Sequence, residues 1–450
     1  MNNIHFIAIG GAIMHQLALA LHHKGFVITG SDDEITDPAK SNLSAAGLLP
    51  NAMGWFPERI TTKLDAVVLG MHARDNNPEL LAAKQLGIPV YSFPQYIYEV
   101  SKDKKRVVVA GSHGKTTITS MIMHILKTQG IVFDYMVGAR VPGFDQSVQL
   151  TDAPIIVLEG DEYPASAEEK RPKIFFYHPD IAVLSGIAWD HINVFPTYEN
   201  YFSQFTAFLQ MMKSGATLYY NHEDSAVNNA VAQAGGNLNA IPYQTPDFSY
   251  VDGSPVIVTP EGPLTFSVFG RHNMLNMQAA VNVCKALGVA EQACYNAMTT
   301  FTGAARRLEK IAATDKLLIY RDFAHAPSKL KATLDAVREA YPGHKLVACF
   351  ELHTFSSLNE KFLAEYAHTM DAADEALVYF SKHALELKGL PPLDKDIVKK
   401  YFERSDLTIY DEKNVLKETV QHRTEAGEKP VFLLLMSSGT FDGIDWATLA

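Results

Sequence analysis

The chain is poor in cysteine: 450 residues contain three, at 284, 294 and 349, and none forms a C-x-x-C pair. That excludes a disulfide framework and a structural zinc site, and fits a reducing compartment. No apolar run approaches the ~18 residues that cross a bilayer, and the opening residues carry neither a basic cluster nor a cleavage signal, so a cytoplasmic protein without membrane contact is expected. Positive charge is in deficit. Thirty-nine Lys and Arg against 50 Asp and Glu leave −11, which argues against nucleic acid as a partner and requires local basic sites for any anionic ligand. The pattern holds no internal repeat and says nothing of oligomeric state.

Hydrophobic residues are plentiful, at 47%, and roughly 150 residues per domain gives about three domains. Three times a β-branched run enters glycine or polar turn chemistry and then a helical pattern, which predicts an α/β fold of parallel sheets covered by helices. The first run spans 5–9, followed by a helix over 12–24 and strands at 26–29, 66–69 and 90–91. The second spans 106–110, with strands at 155–158, 181–184 and 217–219, hairpins within 253–269 and a helix to 287. A third unit has strands at 317–320, 345–350, 376–379 and 430–436. The expected domains are 1–102, 103–302 and 303–450, with a linker at 101–106 and hinges near 102 and 302.

Gly111-Ser112-His113-Gly114-Lys115-Thr116-Thr117 lies between a strand and a helix. Backbone donors, a helix N-terminus and a lysine are what a polyphosphate needs, so this is a phosphate loop of the short form G-x-x-G-K-T-T. Lys115 is expected on the outer phosphates, and Thr116 where the hydroxyl ligand of Mg²⁺ belongs. The run 155–158 ends in Glu159, Asp161 and Glu162, carboxylates that need solvent, a partner or a cation. Asp190-His191 follows the next strand. Glu159 and Thr116 suit one Mg²⁺; His191 is the candidate for a second ion, although imidazole is an uncommon Mg²⁺ ligand.

These motifs, with Gly270-Arg271-His272-Asn273-Met274-Leu275-Asn276, Arg306-Arg307-Leu308-Glu309 and Asp322-Phe323-Ala324-His325-Ala326-Pro327, resemble the Mur ligase family over the whole length. The resemblance implies three domains: a Rossmann-like UDP-binding N-terminal domain, a central P-loop ATPase domain and a Rossmann-like C-terminal domain for the amine or peptide. It implies ATP-dependent joining of a carboxylate to an amine through an acyl phosphate. It places His272, Asn273 and Asn276 near the base, Asp322 on ribose and Arg307 on the transferring phosphoryl group. His325 and His353 become substrate candidates, and Lys115, His191 and Arg307 the catalytic set. Some members carry a carboxylated lysine where this chain has Phe205, a departure resembling the branch that acts directly on UDP-N-acetylmuramate.

Within that branch, Asp161-Glu162-Tyr163, the stretch 170–179, and 70–78, 93–96 and 436–444 resemble the ligase that adds L-alanyl-γ-D-glutamyl-meso-diaminopimelate in peptidoglycan recycling. The rival is addition of free L-alanine; more distant alternatives are a non-ligase P-loop ATPase and a nucleotide-binding module. Two departures stand out: Arg321 replaces the first aspartate of an Asp-Asp pair, and Glu351-Leu352-His353-Thr354 replaces a Glu-Pro-Arg-Ser-like stretch.

The first glycine loop, Ala8-Ile9-Gly10-Gly11-Ala12-Ile13-Met14, has Ile13 at the place of a third glycine, which excludes a dinucleotide fingerprint. By resemblance, Gly10, Gly11 and Ala12 receive the diphosphate of the UDP sugar, with Ser31, Asp32 and His72 near uridine.

Overall fold

The structure, a computed structural model, describes residues 3–450 except 72, 167, 237, 426 and 427. It divides into two compact units, one of Met1–Gly186, Ser203–Pro242 and Asn282–Cys284, the other of Ile187–Phe202, Tyr243–Val281 and Lys285–Ala450.

The first unit contains two sheets. Strands β1 (Asn3–Ile7), β2 (Val27–Ser31), β3 (Ala66–Leu69) and β4 (Val90–Ser92) form a parallel sheet in the order β2-β1-β3-β4. The first strand ends before the predicted 9. Ala8 turns to φ +65°, and Ala8 and Ile9 both donate to the Ser31 carbonyl, so the chain leaves the ladder ahead of Gly10. The helix after it is Met14–His23, beginning two residues later than the pattern predicts.

Strands β5 (Lys105–Ala110), β6 (Asp134–Met136), β7 (Val148–Gln149), β8 (Ile155–Glu159), β9 (Ile181–Leu184), β10 (Thr217–Asn221) and β11 (Asn239–Tyr243) form a seven-stranded sheet in the order β11-β10-β9-β5-β8-β6-β7. Val107, Val108 and Val109 are fully buried, as a central parallel strand covered on both faces requires. Helix Lys115–Thr128 packs back with Ile118, Met121, Ile122 and Ile125, a helical 3–4 spacing. The expected linker at 101–106 is instead a helix end and a strand start. Buried Arg106 donates to the carbonyls of Ser101, Lys102, Lys104, Tyr177 and His178, so its charge marks an anchor rather than a solvated segment.

In the second unit, β12 (Ser249–Val251), β13 (Ser254–Thr259) and β14 (Gly262–Thr265) form the antiparallel hairpins expected here. Helix Arg271–Ala286 follows. A six-stranded sheet of β15 (Glu309–Ala313), β16 (Leu317–Asp322), β17 (Lys345–Leu352), β18 (Glu375–Phe380), β19 (Thr408–Tyr410) and β20 (Val431–Met436) runs β15-β16-β20-β17-β18-β19, with β15 alone antiparallel to its neighbour. Alternation sends Val347, Cys349 and Leu433 to one face with helix Lys413–Thr424, and Leu346, Ala348 and Leu434 to the other with helix Pro327–Ala340. Insertion of β20 between β16 and β17 makes a topological switch point, and ligands of open α/β sheets bind outside the carboxyl ends of strands at such a point. Among the described residues no helix is long and apolar enough to cross a membrane.

Candidate active site

The phosphate loop leaves β5 at Gly111, whose φ of +130° belongs to glycine, and Gly114 at φ +78° precedes the first residue of helix Lys115–Thr128. Ser112 N donates to the Gly186 carbonyl at 2.9 Å, and the Ser185 hydroxyl donates to the His113 carbonyl. A Cβ at Gly186 would collide with the His113 imidazole. Ser185 and Gly186 therefore clamp the loop from the end of β9, a role sequence reasoning missed; the small pair directly after a buried strand was the available signal.

Lys115 Nζ donates to the Gly111 carbonyl and to Glu162 Oε2, each at 2.7 Å. Burial opposes its charge, but Glu162, Asp161 and Glu159 outweigh it, so its pKa stands above the ordinary lysine value. Asp161 pairs with Lys173 at 2.7 Å; burial opposes its charge too, yet Lys173 and Lys115 draw its pKa down to about 2. The acidic strand end is thus resolved into pairs. Glu159 is different: Oε1 accepts from the Thr116 hydroxyl at 2.7 Å and Oε2 from Gly138 N at 2.7 Å. Thr116 and Glu159 together offer oxygen donors that fit a hard divalent cation. Thr117 is buried in the same helix. Among the described residues no group of three or more His, Cys, Asp or Glu gathers as a protein-only cage.

At the first glycine loop, Asp32 Oδ2 accepts from Gly10 N at 2.7 Å and its carbonyl accepts from Gly54 N at 2.7 Å. Burial raises the Asp32 pKa, with the Gly10 bond acting against it. Ser31 is buried, and Arg59, stacked 4.0 Å over the Phe56 ring, donates to its hydroxyl at 3.4 Å. The structure therefore brings Gly10, Ser31 and Asp32 together, with Gly11 and Ala12 continuing the loop, while His72 lies outside the described residues. Arg59 and Phe56 escaped sequence reasoning. Buried Glu79 holds Phe56: its Oε1 accepts from Phe56 N at 2.7 Å, and its Oε2 lies 3.3 Å from His5 Nε2.

The second unit carries His272, Asn273 and Asn276 at the start of helix Arg271–Ala286; Asn273 Nδ2 donates to the Phe269 carbonyl at 2.8 Å. Burial lowers the His272 pKa, the Asp322 charge raises it and the Arg307 charge lowers it, which ties His272 to these two residues. Asp322 is occupied: Oδ2 accepts from Leu308 N and Oδ1 from Ala324 N, both at 2.7 Å. It thereby braces the turn in which Arg306 (φ +60°) and Leu308 (φ +44°) flank Arg307, whose guanidinium lies 5.0 Å from the Phe323 ring centre.

Asp190 and His191 belong to this unit too. Asp190 Oδ1 accepts from His191 N at 2.7 Å, holding His191 at φ +57°. Its buried Oδ2 lies 3.7 Å from both His325 Nε2 and Lys329 Nζ and, among the described residues, accepts no hydrogen bond. Burial opposes the Asp190 charge, but His325, Lys329 and His191 hold its carboxyl far below the usual range; burial and Lys329 push His325 down, partly against Asp190. His353 stands 3.6 Å from buried Glu351, after β17. Of the expected metal ligands, the structure brings together Thr116 and Glu159; His191 belongs to the second unit.

Family models match three consecutive stretches: the Mur ligase family catalytic domain over residues 3–105, the Mur ligase middle domain over 109–284 and the Mur ligase glutamate ligase domain over 306–429. A UDP-N-acetylmuramate–L-alanine ligase of Arthrobacter sp. (strain FB24) is 33% identical over 389 residues, covering 84% of this chain and 81% of its own. A solved murein peptide ligase of Psychrobacter arcticus 273-4 is 22% identical with a TM-score of 0.63, covering 98% of this chain and 97% of its own. The solved UDP-N-acetylmuramate:L-alanyl-γ-D-glutamyl-meso-diaminopimelate ligase of Neisseria meningitides is 26% identical with a TM-score of 0.60, covering 67% of this chain and 98% of its own. With all three domains matched in order and a relative at that identity, the chain belongs to the Mur ligases, three-domain α/β enzymes that form amide bonds at the expense of ATP.

Proposed function

We propose that the enzyme joins UDP-N-acetylmuramate to L-alanyl-γ-D-glutamyl-meso-diaminopimelate. In this reading residues 1–102 hold the sugar nucleotide, 103–302 ATP and 303–450 the amine. The muramyl carboxylate attacks the γ-phosphorus of ATP, breaking the bond to the β,γ-bridging oxygen and releasing ADP, and the peptide's α-amine then attacks the acyl phosphate and displaces inorganic phosphate as the amide forms. Lys115 and Arg307 offset the charge that develops on the transferring group, so the gain comes from positioning and electrostatics without a residue nucleophile. Lys115 exchanges Glu162 for phosphate oxygens when nucleotide enters. His191 and His353 orient reactants. Thr116 and Glu159 are the residues to hold Mg²⁺, which when bound neutralises phosphate charge.

The choice of a peptide is carried by the segment after the acidic motif, which resembles the tripeptide ligases. It is pinned by Lys173 to Asp161, by Lys173 N to the Tyr163 carbonyl at 2.9 Å and by a bridge between Pro164 and Pro172, with Ile174, Phe175 and Phe176 buried. Addition of free L-alanine is the second reading, because the 33% identical relative carries that name. Incubation with ATP, UDP-N-acetylmuramate and each amine, with mass detection of product, tests the choice. Tripeptide product is expected, and exclusive use of L-alanine overturns it. With ¹⁸O in the muramyl carboxylate, label is expected in the released phosphate; its absence removes the acyl phosphate.

A further inference from the structure

Lys329 stands in the first turn of helix Pro327–Ala340, where the helix macrodipole disfavours a cation. Its side chain is nonetheless turned inward, 18% exposed, with Nζ 3.7 Å from Asp190 Oδ2. Desolvation and dipole both oppose that placement, so an opposite charge has to hold it. That charge is a carboxylate which is itself buried and whose Oδ2, among the described residues, accepts no hydrogen bond.

Three nitrogens surround this oxygen, Lys329 Nζ and His325 Nε2 at 3.7 Å and His191 Nε2 at 3.9 Å. His325 Nδ1 lies 2.8 Å from the Phe323 carbonyl, which accepts only from an N–H, so a neutral His325 ring turns a lone pair toward Asp190. Lys329 is then the permanent cation beside Asp190. The sequence suggests a second divalent ion at His191, but the donor set does not suit one. Imidazole is an uncommon Mg²⁺ ligand, and an ammonium already offsets the one carboxylate. Among the described residues no group of three or more His, Cys, Asp or Glu could hold a metal.

Asp190 in turn grips His191. Its Oδ1 accepts from His191 N at 2.7 Å, while the His191 carbonyl accepts from Val194 N at 2.8 Å and Phe195 N at 2.9 Å. Held at both ends, a residue with a side chain keeps φ +57°, a strained conformation of the kind that clusters at functional sites. Its imidazole remains 33% exposed.

We propose that Lys329 is a positioning residue of the ligase reaction: its ammonium offsets the Asp190 charge, and Asp190 fixes the turn that aims His191, with no second divalent ion there. The inference rests on the reading in which His191 orients reactants, and it holds for either amine donor.

The test uses the full chain with ATP, UDP-N-acetylmuramate and the amine it accepts. Lys329→Met should lower kcat about ten-fold or more with KM for ATP nearly unchanged, the cost of a displaced orienting group. Lys329→Arg, which keeps the charge, should recover most of that loss. Because Lys329 acts through Asp190, the double variant Asp190→Asn, Lys329→Met should be no slower than Asp190→Asn alone. The double variant strands no charge, so it is read even where Lys329→Met unfolds. Losses that multiply in the double variant, or full kcat in Lys329→Met, overturn the inference. Mn²⁺ bound per chain with one equivalent of ADP, counted by electron paramagnetic resonance, should be a single ion that His191→Ala leaves in place; a second ion that His191→Ala removes overturns it as well. A fully active His191→Ala overturns the role given to His191 and the inference together, whereas an impaired His191→Ala beside a fully active Lys329→Met overturns the inference alone.

Discussion

Lys115 Nζ bonds Glu162 Oε2 at 2.7 Å, and Glu162 is buried, so the cation of the phosphate loop also neutralises an interior carboxylate. Removing one member of a buried pair strands the other, at about 3–5 kcal/mol. Lys115→Ala should therefore lose both turnover and stability. The double variant Lys115→Ala, Glu162→Gln should recover most of the stability and none of the turnover. Urea unfolding beside a phosphate-release assay separates the two; recovery of activity in the double variant would show that Lys115 serves the fold alone.

Glu159 divides its carboxylate between the Thr116 hydroxyl and Gly138 N. Glu159→Gln keeps the shape but removes the negative charge that a divalent cation needs. The Mg²⁺ concentration for half-maximal turnover should rise by about ten-fold or more, the range in which altered metal-site residues act. An unchanged titration places Mg²⁺ elsewhere.

His272 gives a pH signature. Its folded pKa is lowered, burial being the largest cause, while the unfolded chain protonates near 6.5. Below that value the unfolded state binds the proton first, so stability falls as pH drops and is retained above it. Unfolding free energy measured at pH 7.5 and 5.5 should decline more in the wild type than in His272→Gln. Equal declines would mean that His272 titrates alike in both states.

Legibility followed local chemistry. The stretch from β5 through the phosphate loop into helix Lys115–Thr128 was readable because an apolar run, two glycines and a helical stripe sit in one window. Strands β6, β7 and β19 were not, being only two or three residues long, and β15 mixes Glu309 and Lys310 into a half-exposed edge. Site residues followed the same rule. Thr116 and Glu159 come from motifs, whereas Glu79 looks like an ordinary acid in the first turn of a helix, and its partner His5 lies 74 residues away. Arg59 likewise acquires its place only when its segment meets Ser31. Contacts of that range leave no trace in spacing.

Phe205 supplies the last prediction. It is fully buried in helix Tyr198–Met211, and by the resemblance drawn from the sequence it stands where some members of the family carry a carboxylated lysine. No carbamate can form on a phenyl ring, so turnover in CO₂-depleted buffer should equal turnover with added bicarbonate. Phe205→Lys should not install the missing group. It buries an ammonium where the ring is packed, a change that costs several kcal/mol or forces the lysine neutral. Its urea midpoint should fall and its activity stay independent of bicarbonate. Bicarbonate-stimulated turnover in that variant would mean that the pocket around residue 205 retains the geometry of a carbamate site.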